Sequence, residues 1–304
     1  MHNLGFMCIS SYDEFLHVLS NNGDNRFRNF LAGNEEELLW FRGQASHKWD
    51  LLPSLYRVIE KKIGSKVWTN SHWSLLKKEE KNRLKMFRIR NHHLLFDDIP
   101  QNNYLWMCIM QHNQIKTRLL DWSERADVAF YFSLYFYFLE LKKWKEIDYK
   151  DRNAKAYYNL GFPTVWVLLP KVLVSQKIKG LLRGWDANSI QDIYNVNDTK
   201  YDLLPPTPIL APYNNERIKV QSGTFVVFPK EKRTKMGTKI FPDSPYLNRL
   251  SNSENFLFKF IIVHPEKCKK TIRDIGLKLS LFYPELPVID EDIEDDIDNY
   301  RTLI

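Results

Sequence analysis

The side chains able to do chemistry in this 304-residue chain fall into three short segments. The first, Phe41-Arg42-Gly43-Gln44, offers a guanidinium, the group that makes paired, charge-assisted hydrogen bonds to phosphate oxygens. The second runs from Gln111-His112 to Ser123 and holds two reactive groups. Histidine as a residue type titrates near neutrality, so His112 suits general-base work, and the Asp121 carboxylate can stabilise a developing cation. The third, Glu216 to Phe225, adds a carboxylate at Glu216, a guanidinium at Arg217 and an amide at Gln221. Trp122 or Tyr131 can offer an aromatic face to a cationic ring, and Ser123 a hydroxyl. Each has a plainer alternative: Arg42 and Asp121 as an ion pair fixing two strands, Trp122 and His112 as core side chains, Glu216 as an exposed loop acid.

These groups need elements to position them. Leu38 to Gly43 is a short bulky apolar run closed by glycine, which predicts a buried strand delivering Arg42 to its end. Leu51 to Arg57 reads as a turn-like link. Tyr104 to His112 predicts a buried helix, Ile115 to Trp122 an extended segment, and Ala126 to Leu141 a helix apolar nearly all round, hence buried mid-domain. Arg217 to Val220 and Gly223 to Pro229 predict a strand pair or one bent strand, in which Glu216 and Arg217 face opposite sides. Outside the candidate segments, Ser11-Tyr12-Asp13-Glu14 has capping-box spacing, and Ser74 to Arg90 is a basic amphipathic helix. Thr164 to Pro170 and Phe256 to Val263 predict strands, the latter followed by a helix over Pro265 to Gly276. Lys171 to Pro212 is irregular, with Pro205-Pro206-Thr207-Pro208 read as surface loop. The order predicts an α+β fold with a mixed or largely antiparallel sheet, N-terminal helices and loop insertions. One domain over 1–289 is expected, with 142–212 insertion-like and 290–304 an acidic tail.

Composition narrows the partners. The net charge is +7, and setting aside seven acids between Asp290 and Asp298 leaves +14 on the rest, a balance that favours an anionic partner. The tail is either solvated or folded back on the basic face. Asp13, Glu14 and His17 interrupt the first twenty residues, so no secretion signal is expected and a cytoplasmic location is. Ala129 to Leu139 is well short of the roughly 20 residues of a spanning helix, so no membrane span is expected. Cys8, Cys108 and Cys268 lack pair spacing, which excludes a zinc site and predicts three buried thiols. Neither Gly-x-Gly-x-x-Gly nor a P-loop occurs, so a nucleotide must be held another way.

Phe41-Arg42-Gly43-Gln44, Leu52-Pro53-Ser54-Leu55-x-Arg57 and Gln111-His112-x5-Arg118-Leu119-Leu120-Asp121-Trp122-Ser123 resemble the FRG family, with further likeness at Arg217 to Phe225 and Gly276 to Leu286. Asn113-Gln114-Ile115-Lys116 departs from the small residues usual there. The order of segments also resembles, more weakly, that of ADP-ribosyltransferases: an arginine-glycine strand, a hydroxyl-bearing strand leading into a helix, and a strand with a glutamate. This second likeness implies an ADP-ribosyltransferase-like fold and a toxin-type enzyme that consumes NAD as substrate, without a metal. It implies catalytic roles among Arg42, Asp121, Glu216 and His112. It further implies NAD contacts from Arg42, Gly43, Gln44, Thr117, Arg118, Trp122, Ser123, Tyr131, Arg217 and Gln221. RNA is the expected acceptor ahead of protein, with stacking surfaces near Trp73 and Phe87. A setting in toxin-antitoxin control or phage defence, with a neutralising protein partner, is expected. The alternatives are a non-catalytic nucleic-acid or protein binding module and an NAD glycohydrolase.

Overall fold

The computed structural model describes residues 4–22, 25–34, 37–91, 103–146, 160–177, 191–192, 205–211, 216–231, 234–235, 238–239, 244–274, 276 and 278–282. The acidic tail, 290–304, and much of 142–212 lie outside them.

Strand β1 (Gly5–Ile9) leads into helix α1 (Tyr12–His17), which starts at the predicted cap. The Ser11 hydroxyl accepts from the Glu14 amide at 3.0 Å, but Glu14 answers Ser10, not Ser11, accepting from its amide and hydroxyl at 2.7 Å each. Helix α2 (Asn25–Leu31) follows, then β2 (Trp40–Gln44), with Arg42 in the middle of the strand and not at its end. The stretch read as a turn-like link instead starts helix α3 (Ser54–Ile63), with Pro53 at its N-cap, where a missing N–H costs nothing. Helices α4 (Asn70–Asn91) and α5 (Asn103–His112), strand β3 (Leu119–Ser123) and helix α6 (Ala126–Glu146) occur as expected. Only the first half of α6 is deeply buried; from Tyr135 onwards it is partly open, and Phe136 is 38% exposed.

Strand β4 (Thr164–Leu168) is buried throughout and runs into α7 (Pro170–Lys177). The two-residue strand β5 (Gln191–Asp192) precedes β6 (Thr207–Leu210), which replaces the expected surface loop. Thr207 and Ile209 are fully buried, and Pro208 lies ahead of the short pairing with β5, near the sheet edge where proline is tolerated. The next expectation also fails. Glu216–Gln221 forms a short helix, α8, before strand β7 (Gly223–Val227). Its reason is local: Glu216 stands in the first turn and bonds Lys219 at three-residue spacing, and Ser222 at φ 43 stops the helix. Two-residue strands β8 (Thr234–Lys235) and β9 (Thr238–Lys239), then β10 (Leu257–Ile262), α9 (Pro265–Asp274) and α10 (Leu279–Phe282) complete the described chain.

Among the described residues, eight strands form one mixed sheet in the order β1-β10-β4-β2-β3-β7-β6-β5, parallel at β1/β10 and β5/β6 and antiparallel elsewhere. The α+β class with a mixed sheet is therefore correct. Its continuity weakens at one place. β2 pairs with β4, and β3 with β7, over five residues each, whereas β2 and β3 meet only at Phe41↔Ser123. Beyond that bridge the strands part. Two cores flank the opening: Leu120 and Trp122 pack into a large cluster with β1, β10, β4, β2 and α6, and Leu119 joins a smaller one with α5, β6 and β7. Side chains alternate faces along a strand, so Asp121 emerges on the Leu119 side, under α5. Helix α6 lies directly on β2, because a β-carbon on Gly43 would sit 2.1 Å from the Ala129 carbonyl and 2.5 Å from the Ser133 amide.

Candidate active site

Where β2 and β3 separate, a cleft of about 1250 Å³ opens between Arg42 to Gln44, the start of α3, the end of α5, β3, α6 and α8. Its walls carry Arg42, Lys48, Arg57, Lys61, Lys66, Lys116 and Arg217 against Asp50, Glu60 and Asp121, an excess of cations. Two of these acids are already engaged. Asp50 holds Arg249 at 2.6 Å and accepts from Asn248 at 3.0 Å, and Glu60 accepts from Tyr246 at 2.5 Å and Trp68 at 2.9 Å.

Arg42 reaches across the gap, and one Nη donates to the Asp121 carbonyl oxygen at 2.5 Å, in place of a further strand-to-strand bond. The carboxylate of Asp121 stays 3.9 Å from that nitrogen, an ion pair without a hydrogen bond. Gln111 is the reason: its amide donates to both carboxylate oxygens at 3.0 Å, and its own carbonyl is fixed by the Thr117 hydroxyl at 2.5 Å. The Arg42 Nε is buried and has no partner among the described residues. Burial pulls the Arg42 guanidinium down to about 10, opposed by Asp121 and reinforced by Arg57. Arg57 is lowered for the same first reason, with Asp121 and Glu60 opposing. A cation held in this way stabilises an incoming anion.

The remaining candidates divide. His112 closes α5 and lines the cleft, and its carbonyl accepts from Arg217 at 3.3 Å. Trp122 and Ser123 line it too, but Trp122 is 3% exposed and belongs to the core, and the Ser123 hydroxyl donates to the Gln221 carbonyl at 2.6 Å, tying β3 to α8. Gln221 spends its amide on the Phe282 carbonyl at 2.7 Å. Gln44 is a strut: its oxygen accepts from Trp166 at 2.8 Å and its amide donates to the Asp50 carbonyl at 3.4 Å. Gly43 serves the approach of α6. Four expected residues are not brought to the cleft walls. Arg118 is 1% exposed and bound to Glu80 at 2.6 Å and the Tyr104 hydroxyl at 3.0 Å. Thr117 is buried and clamps α3, taking the Leu55 amide on its carbonyl at 2.9 Å. Tyr131 packs on Tyr135 and Phe282. Glu216 points outward, its side chain 70% exposed and paired with Lys219. Helix geometry also removes the strand alternation that set it opposite Arg217.

Sequence reasoning missed Arg57 and Gln111 as site residues, although both stand in the same motifs as Arg42 and Asp121. The aromatic side chains that line the cleft without being buried are Phe132, Tyr135 and Phe136 of α6 and Trp49, not Tyr131. Trp73 and Phe87, expected near a stacking surface, are buried. Cys108 and Cys268 are buried as expected, and Cys8 is exposed. Among the described residues, no helix is long and apolar enough to cross a membrane.

Fold and cleft together define an α+β protein with a parted mixed sheet and an arginine-bearing basic cleft. Residues 37–137 match the model of the FRG domain. Arg42, Arg57, Gln111 and Asp121 all lie within that span. No curated protein and no solved structure matches the chain.

Proposed function

We propose that the cleft binds NAD and transfers its ADP-ribose to a macromolecule, with RNA preferred over protein. The observation that carries this reading is Arg42: a largely buried guanidinium, aimed into a cleft, whose carboxylate neighbour is held off by Gln111 at 3.9 Å. A buried Nε without a partner and a fork not closed on a carboxylate fit a phosphate. Asp121, 54% exposed at its side chain, is the carboxylate best situated to stabilise a cationic sugar. Phe132, Tyr135, Phe136 and Trp49 supply aromatic faces for the positively charged nicotinamide.

In the transfer, the bond between ribose C1′ and the nicotinamide nitrogen breaks and its electron pair leaves with neutral nicotinamide. An acceptor oxygen bonds to C1′ and gives its proton to His112. The excess of lysine and arginine along the walls supports a polyanionic acceptor. Acting on cellular RNA, such an enzyme serves as a growth-arresting toxin in a toxin-antitoxin or phage-defence setting, and it needs a neutralising partner. Incubating the purified chain with labelled NAD and either RNA or cell extract tests the reading. Label on RNA is expected, and Arg42→Ala and Asp121→Ala should each remove it while remaining folded. Free ADP-ribose alone would indicate a glycohydrolase, and no turnover with either acceptor would refute the enzyme.

A further inference from the structure

We infer that Arg57 is a second anion anchor and that, with Arg42, it makes the cleft select a diphosphate over a monophosphate. This deepens the NAD reading and names the part of the ligand held. The two guanidiniums share one hydrogen-bonding pattern, Arg42 from a largely buried position and Arg57 from an exposed one. Among the described residues, each side chain makes one hydrogen bond, and each to a backbone carbonyl: Arg42 to Asp121 at 2.5 Å and Arg57 to Leu52 at 2.6 Å. Each thereby fixes one nitrogen as a pivot and leaves the rest of its fork without a carboxylate. Both line the same cleft and both feel Asp121 as their common opposing charge. Two carboxylates face the pair, Asp121 on both and Glu60 on Arg57, but Glu60 is spent on Tyr246 and Trp68, and Gln111 keeps Asp121 from closing on Arg42.

Local structure explains why Arg57 is there. Pro53 caps α3, the Leu55 amide is tied to the Thr117 carbonyl at 2.9 Å, and the Arg57 amide bonds the Pro53 carbonyl at 3.2 Å. The first turn of α3 is therefore pinned to the start of β3, the strand that carries Asp121. Arg57 and Arg42 thus approach one ligand from two rigid elements, as a phosphate-phosphate unit requires and a single phosphate does not.

Calorimetric titration of the full chain with inorganic pyrophosphate and with orthophosphate, at fixed ionic strength, tests this. Pyrophosphate should bind roughly tenfold or more tightly than orthophosphate. Arg57→Gln and Arg57→Met should each bring the ratio to about twofold or below, while Lys66→Gln, on the same cleft wall, should leave it unchanged. Equal affinities in the unaltered chain, an unchanged ratio in whichever Arg57 variant is folded by circular dichroism, or an equal collapse in Lys66→Gln would overturn the inference. NAD turnover separates the two readings. An Arg57-dependent preference without turnover leaves the anchor and removes the transferase, and turnover with an Arg57-independent preference does the reverse.

Discussion

Arg42 and Arg118 both lie in the span that matches the FRG model, both set against the core, and they are treated in opposite ways. Arg118 is saturated: Glu80 at 2.6 Å, the Tyr104 hydroxyl at 3.0 Å, the Phe228 carbonyl, and the Tyr104 ring 4.9 Å beneath it. It joins α4, α5 and the end of β7 to β3, and nothing remains for a ligand. Arg42 has one carbonyl and a carboxylate kept at arm's length. The number of partners already bound, more than burial or residue type, separates a scaffold arginine from a binding one. The contrast breaks most directly at Arg118. Arg118→Met leaves Glu80 buried with only Lys230, 3.9 Å away, to oppose its charge, so unfolding in urea should show a loss of about 3 kcal/mol. Arg42→Ala should cost within about 1 kcal/mol, because it removes a poorly solvated charge along with one bond. Equal losses would erase the distinction.

Gly43 sharpens the comparison from the other side of β2. Alanine there must displace the α6 backbone, since its β-carbon would lie 2.1 Å from the Ala129 carbonyl. A loss of about 1–3 kcal/mol is expected, read as a fall in melting temperature, with nucleotide binding lost only in proportion to unfolding. A folded Gly43→Ala variant that still lost binding would make this glycine part of the site after all.

Gln111 is what keeps Arg42 unlike Arg118. In Gln111→Ala the Asp121 carboxylate loses its holder and can close on Arg42 as Glu80 closes on Arg118. Pyrophosphate affinity should then fall roughly tenfold, equivalent to about 1.4 kcal/mol. Stability should fall by about 1 kcal/mol as Thr117 loses its acceptor. Unchanged or tighter pyrophosphate binding by calorimetry would show that Gln111 does not hold the fork open.

Elements announced by local signals were legible in the sequence. The Ser11 cap, the apolar run of α6, the branched β4 and the strand-helix pair β10/α9 each depend on neighbours within a few positions. What escaped depends on distant partners. β1 exists because Gly5 to Ile9 pair with Phe258 to Ile262, and β6 because Thr207 to Leu210 pair with β7, which outweighs Pro208. Pro53 reads as a break in the sequence and acts as a helix cap in the fold, because the turn after it is held by the Thr117 carbonyl, more than sixty positions away. In the site, Arg42 and Asp121 were legible from their motifs. Arg57, Gln111 and the saturation of Arg118 were not, because sequence gives a side chain's capacity for hydrogen bonds and not how much of it the fold consumes.

The smallest expected effect decides which carboxylate accompanies Arg42. Segment order sets the glutamate position at Arg217, so Glu216 serves only with the register moved by one, on the premise of a strand. On α8 its side chain is 70% exposed and answers Lys219, and it is absent from the cleft walls, which Asp121 lines. Glu216→Gln removes an exposed pair at three-residue spacing, so stability should change by no more than about 0.5 kcal/mol. NAD turnover should stay within about twofold of the unaltered chain, well under the tenfold that about 1.4 kcal/mol of barrier would produce. Asp121→Asn is the matching substitution and should abolish turnover without unfolding. If Glu216→Gln abolished turnover and Asp121→Asn did not, α8 would have to rearrange on binding, and the parting of β2 from β3 would be the wrong place to look for the reacting ribose.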